Sequence, residues 1–440
     1  MGKTYRPYLA DQDLLLPPSL RDWLPEGHLA YFVSDLVDSL DLSAIEAYYE
    51  KEERGYPPYH PRMMTKILVY GYCVGVFSSR RLQKRLQEDV AFRILAAGKE
   101  PDFRTVSDFR KIHLPTLQGL FEQVLRMALE LGALKLGRVA MDGSKLKANA
   151  SKHRAMSYQR MKEEQKRLQE EVRRLLQEAE RIDGEEDARY GRNSSGEELP
   201  AELQRREERL QRIRAAKRAL EQRARQEAAA EAQEQRGENE TEEQKPAKPE
   251  DKDQYNFTDA ESRILKGPDG FLQGYNTQIA VEPALQLIVG QTVTQAANDK
   301  KQLLPMIATI EEQAGQKPTQ VLADRGYTSE ASLQGVEEAK VDAYLAVGRD
   351  QHHQNCRPCP RGPLPKGATR TDRMRRKLQT QAGRAIYAAR KAIVEPVFGQ
   401  IKQARGFRQF LLRGLEKVQG EWALVCMAHN VLKLHRMVCS

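Results

Sequence analysis

The sequence predicts an α/β core, a mixed sheet with flanking helices, interrupted by a helical insertion and preceded by an all-α region. Three observations predict it. First, two short apolar runs, Val139-Ala140-Met141 and Val321-Leu322-Ala323, each end on an acid, Asp142 and Asp324. Runs of that length suit buried strands better than helices. Second, apolar residues at Met161, Leu168, Val172, Leu175, Ala179 and Ile182 follow a coiled-coil seam, with charged side chains between them. Third, residues from about 18 to 130 carry helical periodicity with a stiff break at Pro57, Pro58 and Pro61.

Charge narrows the partners. The chain has 440 residues, of which 30% are charged, and a formal charge of +9. That balance favours a polyanion, nucleic acid or an acidic membrane surface. No apolar run approaches the roughly 18 residues of a membrane span. Residues 1–6 lack the apolar segment of a signal peptide. Five scattered cysteines make a disulfide framework a poor expectation and a reducing cytoplasm the simplest setting.

Taken in order, residues 1–130 read as a helical domain. An amphipathic run starts at His28 and continues through Leu36, Leu40 and Leu42; a more apolar helix opens at Met63. Ser78 or Ser79 caps the next helix. It carries Arg80, Arg81, Lys84 and Arg85 beside Leu82 and Leu86. A further helix starts near Thr105. Short capped helices with exposed cations suit a helix-turn-helix-like DNA binder, or an ordinary helical domain with a solvated basic face.

The strand ending at Asp142 follows, then Lys145, Lys147, Asn149, Lys152 and His153, suited to a phosphate backbone or to a solvated loop. Residues 156–234 form a helical hairpin, its second helix carrying Leu203, Leu210, Ile213, Ala216 and Leu220. Residues 235–255 are polar, without apolar period, and read as a disordered linker. Strands at 275–281 and 287–294 form a hairpin about Glu282-Pro283. Asn298-Asp299 caps a helix carrying Leu303, Met306, Ile307 and Ile310; a metal neighbour is the other reading of Asp299. The strand to Asp324, a helix from about Thr328 and a last strand at 342–347 complete the core. With residues 131–155 and 256–440 joined and the insertion removed, this is the element order of the ribonuclease H-like fold. In it the first and fourth strands lie side by side, bringing Asp142 to Asp324.

From Arg361 to Lys417 the chain is strongly basic, opposed only by Asp372, Glu395 and Glu416. A lone Glu in such a field is either a salt-bridge partner or a metal ligand among phosphate contacts. Tyr387, Arg390, Lys391, Val394-Glu395-Pro396, Phe398-Gly399 and Ile401-Lys402 resemble the signature around the catalytic Glu of bacterial insertion-sequence transposases of the DDE class. Within that class the likeness is to the group called insertion-sequence eleven-eighty-two. It extends to the N-terminal helices, Met141-Asp142-Gly143-Ser144, the charged coil, Asp324-Arg325-Gly326-Tyr327 and the segment Trp422 to Asn430.

The resemblance implies that Asp142, Asp324 and Glu395 are catalytic and hold two divalent ions, Mg²⁺ or Mn²⁺. It implies DNA contacts from Arg80, Arg81, Lys84, Arg85, Lys145, Lys147, Tyr387, Arg390, Lys391 and Lys402. Glu395 and Lys402 keep the spacing of the wider superfamily; Lys391 stands where its Arg is expected, leaving Arg390 and Lys391 as alternatives. Pro396 places Glu395 at a kink or helix start. The implied partners are double-stranded DNA, as terminal inverted repeats and target, and a second copy of the chain in the DNA complex, at the cytoplasmic nucleoid. A nuclease without strand transfer and a non-enzymatic coiled-coil DNA-binding protein are the alternatives. His352, His353, Cys356 and Cys359 form either a zinc site or a flexible loop. His429 and His435 read as packing residues.

Overall fold

The computed structural model describes residues 19–50, 57–190, 201–235, 248–267, 270–348, 359, 362–365 and 367–439. His352, His353 and Cys356 lie outside the described residues, so the zinc expectation does too.

Seven helices open the described chain: α1 (Leu29–Ser39), α2 (Ser43–Tyr49), α3 (Pro61–Cys73), α4 (Ser79–Glu88), α5 (Val90–Leu95), α6 (Phe103–Ile112) and α7 (Leu114–Glu130). Local chemistry sets their starts. Pro61 takes the first position of α3, where no N–H is needed, and His60 accepts from the Arg62 amide. Asp89 and Asp102 cap α5 and α6. Ser78 precedes α4 but makes no side-chain capping bond, and Ser79 is buried in the first turn. Leu82 and Leu86 are buried, leaving Arg80, Arg81, Lys84 and Arg85 exposed.

The sheet is mixed. Strand β1 (Arg138–Lys147) is followed by the insertion: β2 (Ala155–Ser157), α8 (Tyr158–Tyr190), α9 (Ala201–Gln235) and β3 (Gln254–Asn256). Then come β4 (Arg263–Gly267), β5 (Gly270–Val281), β6 (Ile288–Thr294), α10 (Leu303–Ala314), β7 (Gln320–Ala323), α11 (Glu330–Glu338) and β8 (Asp342–Leu345). β1 lies between β5, antiparallel to it, and β7, parallel to it; β8 runs parallel on the far side of β7. β6 and β4 both pair antiparallel with β5, β6 against residues 276–281 and β4 against 270–274. β4 is absent from the sequence expectation.

α8 and α9 pack antiparallel. Glu164 meets Arg209 at 2.8 Å, Glu171 meets Arg206 at 3.0 Å, and the Tyr158 hydroxyl donates to Glu221 at 2.8 Å. Tyr158, Met161, Leu168, Leu210, Ile213, Ala216 and Leu220 make a small core of their own. The expected linker is shorter than 235–255. Residues 236–247 lie outside the described residues, but Gln254 pairs with Ser157 in a two-stranded ribbon. The Tyr158 amide donates to the Asp253 carbonyl at 2.8 Å, and Lys162 bonds Asp251 at 2.6 Å. Two strands of three residues each are too short to show an apolar period, which is why the sequence hid them.

The chain ends in α12 (Arg370–Gln379), α13 (Gln381–Gly399), a π-helical turn (Gln400–Ala404) and α14 (Leu415–Cys439). α14 is packed between α3 and α7 on one side and β6 on the other. Trp422, Val425, Cys426 and Ala428 are fully buried in it. Asn430 bonds both backbone groups of Ile288, each at 2.8 Å. His429 bonds the Gln286 carbonyl at 2.9 Å, and burial pushes its imidazole down to about 3, as suits packing. One continuous core therefore joins the N-terminal helices to the sheet. Residues 1–130 are not a separately packed unit where they are described, because α14 supplies the apolar face that both halves need.

Candidate active site

Asp142 does not end its strand. β1 continues to Lys147 because β5 is long enough to pair with it throughout. The other edge behaves differently: β7 pairs only with Arg138 to Ala140 and stops at Ala323. From there on that edge of β1 is uncovered by a strand. Ala140 and Leu322 are in register, so Asp142 and Asp324, two residues on, stand side by side at this opening. Asp142 Oδ1 accepts from the Gly143 amide at 2.9 Å. Asp324 Oδ1 accepts from the Gly326 amide at 2.7 Å, capping the single turn Arg325–Tyr327. Burial pushes the Asp142 carboxyl up to about 6; Arg390 opposes this, and Asp324 and Asp299 add to it.

Helix α13 packs against β1. Arg390 is buried, its Nη1 3.7 Å from Asp142 Oδ2, while Lys391 is exposed. Of the two alternatives, Arg390 is the one beside the aspartate. Arg390 Nε and Nη1 have no hydrogen-bond partner. Lys402, in the π-helical turn, donates to Ser144 Oγ. Burial lowers its pKa, with Asp142 opposing. Tyr387 packs partly buried against the core. Lys145 and Lys147 belong to β1 itself rather than to a following loop, and Lys147 is exposed. On α4, remote in sequence, Arg80 stacks over Phe103 at 4.9 Å, and Lys84 and Arg85 pair along the helix with Glu88 and Asp89, each at 3.6 Å.

Glu395 departs from expectation. It lies within α13, not at a helix start, and Pro396 is accommodated inside the helix. Proline leaves the carbonyl four residues earlier without its donor. That carbonyl, of Ala392, accepts instead from Gln286 Nε2 at 3.0 Å. Gln286 holds a left-handed backbone, φ 58°, in the β5–β6 turn. Glu395 is exposed and makes no hydrogen bond or ion pair among the described residues. Among the described residues no three His, Cys, Asp or Glu side chains are grouped closely enough to hold one metal ion. The structure brings Asp142 and Asp324 together; it does not draw Glu395 in to them.

The sequence leaves Asp299 two readings, a helix cap and a neighbour of this site, and the cap is not what the structure shows. Gln302, not Asn298 or Asp299, stands at the cap of α10. Asp299 Oδ1 accepts from Asn276 Nδ2 at 2.7 Å and from Gln278 Nε2 at 2.6 Å. The available signal was on β5, where Asn276 and Gln278, two apart, share one face of a buried strand.

Family comparison agrees with this geometry. Residues 18–112 match the Transposase domain (DUF772) and residues 258–431 the Transposase DDE domain. The chain belongs to the DDE transposases of insertion sequences. No curated protein and no solved structure matches it.

Proposed function

We propose that this transposase binds the terminal inverted repeats of its element as double-stranded DNA. On this reading it cuts and joins DNA strands with the help of divalent cations, two ions of Mg²⁺ or Mn²⁺, at Asp142, Asp324 and Glu395. The observation that carries the reading is the pair Asp142 and Asp324, each two residues past the registered pair Ala140 and Leu322, where β7 stops. The strand order β6-β5-β1-β7-β8, with β1, β7 and β8 parallel, supports a ribonuclease H-like core.

The donor set fits a hard cation in its chemistry. Oxygen ligands are what Mg²⁺ prefers, and burial pushes the Asp142 carboxyl upward, with Arg390 opposing and Asp324 adding to it. Glu395 is exposed and unengaged, so no existing bond opposes its turning inward. Bound there, divalent ions would activate the attacking oxygen and stabilise the leaving one. The chain's own residues do the rest. Asp142 and Asp324 fix the position of the charge. Arg390, ion-paired with Asp142 through Nη1, offers a phosphate a buried Nε without a hydrogen-bond partner. Lys402, on Ser144, places an ammonium on the same strand. Water is the nucleophile for cleavage and a DNA 3′-hydroxyl for strand transfer.

Exposed Arg80, Arg81, Lys84 and Arg85 suit contact with the phosphate backbone, sequence-independent and weakened by salt. Pairing of two element ends calls for a homodimer. The α8–α9 pair is read as a coiled-coil insertion, with Met161, Leu168, Leu210, Ile213, Ala216 and Leu220 buried between its helices. No described helix is long and apolar enough to cross a membrane; the reading places the protein at the nucleoid.

The test is incubation with the element's end DNA and Mg²⁺, followed by mapping of broken and joined strands. Strand breaks at the element ends, lost on chelation and in Asp142→Ala and Asp324→Ala while DNA binding survives, are expected. Breaks that persist in either variant would remove that aspartate from the site. Breaks without joined products would favour a nuclease.

A further inference from the structure

A cleft of about 720 Å³ opens at the root of the insertion, between the β2–β3 ribbon and the helices α8 and α9. Ribbon pairing builds one wall. Met156 pairs with Tyr255, and the Phe257 amide donates to the Arg154 carbonyl at 3.1 Å. That bond carries the pairing one step past β3 and holds Arg154 and Phe257 opposite each other. Tyr255 and Phe257, two apart, share a face, and their rings meet edge to face at 5.5 Å. Tyr255 packs against the small core of the hairpin, whereas Phe257 is 39% exposed.

The rest of the cleft is cationic. Arg160 of α8 and Arg209 and Arg212 of α9 join Arg154 around it, and among the described residues no acid lines it. Arg209 is paired with Glu164 at 2.8 Å, a carboxylate shared with Arg167 at 2.7 Å. Arg212 lies 3.9 Å from Glu208 on an exposed helix face, where such a pair is weak. Arg154 and Arg160 are exposed and have no ion pair among the described residues. Elsewhere the hairpin matches acid to base across its seam, as at Glu171 and Arg206; here one sign of charge is left over.

Arginines beside an exposed aromatic ring select for more than charge. A phosphate backbone alone needs only the guanidinium groups. An aromatic face adds stacking on a base, which a duplex keeps covered by its neighbours and a single strand leaves free. Arg154 follows Asp142 by twelve positions. Their separation is therefore at most about 40 Å, roughly a dozen base pairs of duplex. DNA held at Asp142 and Asp324 can reach the cleft.

We propose that this cleft holds unpaired nucleotides of the DNA, with phosphates on Arg154 and Arg160 and a base against Phe257. The proposal rests on the reading above that the chain binds the end DNA of its element.

Fluorescence anisotropy of the full chain with labelled end DNA tests it. The probes are a blunt duplex, the same duplex with a single-stranded tail of about six nucleotides, and that tail made abasic. The tailed duplex is expected to bind about 10-fold more tightly than the blunt one. Phe257→Ala and the abasic tail are each expected to erase most of that advantage. Arg154→Gln combined with Arg160→Gln is expected to weaken tail binding and flatten its salt dependence, and serves if Phe257→Ala misfolds. Blunt-duplex affinity is expected to stay unchanged in all variants. Equal affinity of the wild type for tailed and blunt duplex, or a tail advantage that survives Phe257→Ala, overturns the role of the cleft while the binding of end DNA stands. Equal losses on all three DNAs would make the cleft a duplex contact and overturn the claim for unpaired nucleotides. If the wild type binds none of them, the cleft and the proposed function fall together.

Discussion

Asp142 and Asp324 are carried by neighbouring strands, each carboxylate tied to a backbone amide one or two residues on. Glu395 is carried by a helix face open to solvent, with no hydrogen bond or ion pair among the described residues. The same proposed site thus has a preformed half and a loose half. Sheet pairing fixes side chains to within the register of the strands, because every backbone group is already engaged. A helix that packs by Ile393, Val394 and Val397 fixes only its buried stripe, and Glu395 lies outside that stripe. Geometry of this kind assembles completely only when substrate and cation supply the missing contacts.

The comparison can be broken at the contact between the halves. Arg390 is the α13 side chain nearest Asp142 Oδ2, at 3.7 Å. Arg390→Ala removes the buried cation beside Asp142, and on the proposed function single-turnover cleavage is expected to fall about 100-fold or more. Lys391→Ala, on the exposed neighbour, is expected to change cleavage little. Equal losses from the two would mean that α13 does not present Arg390 to the site.

The preformed half can be probed alone, through stability. The Asp142 carboxyl is raised from an ordinary 3.8 to about 6. Its protonated form therefore favours the fold fully below the ordinary carboxylate value, and that favour is lost as pH rises through about 6. At neutral pH and without metal, Asp142→Asn should raise unfolding stability by on the order of 1–3 kcal/mol. Urea unfolding with a chelator present measures this. A stability gain that is the same at acidic and neutral pH would contradict the account.

A smaller effect sharpens the loose half. Gln286→Ala leaves the Ala392 carbonyl without its donor beside Pro396. The expected loss is about 0.5–1.5 kcal/mol, read by thermal unfolding, with hydrogen exchange in α13 speeding up. A variant with unaltered α13 exchange would show that Gln286 does not brace the helix.

The same contrast explains what could be read in advance. Val139 to Met141 and Val321 to Ala323 are wholly buried apolar runs, so both strands, and the adjacency of their acids, were legible. β4 was not, because Arg263 to Gly267 offers only Ile264 and Leu265 as apolar residues. Asp299 beside Asn298 looks like a local cap; its actual partners lie on β5, a contact that no local pattern encodes. The sharing of one core by the N-terminal helices and the sheet depends on α14, from the far end of the chain. Pro396 suggested a break in α13, and only the distant Gln286 side chain reveals how the helix passes through it.

Glu395 bears most directly on the central claim, since it is the acid the fold leaves apart. The deciding measurement is Mg²⁺-dependent nicking of the element's end DNA by Glu395→Gln, alongside its affinity for the same DNA. The account predicts DNA affinity like that of the wild type and no detectable nicking. Nicking at the wild-type rate would contradict it and remove Glu395 from the chemistry.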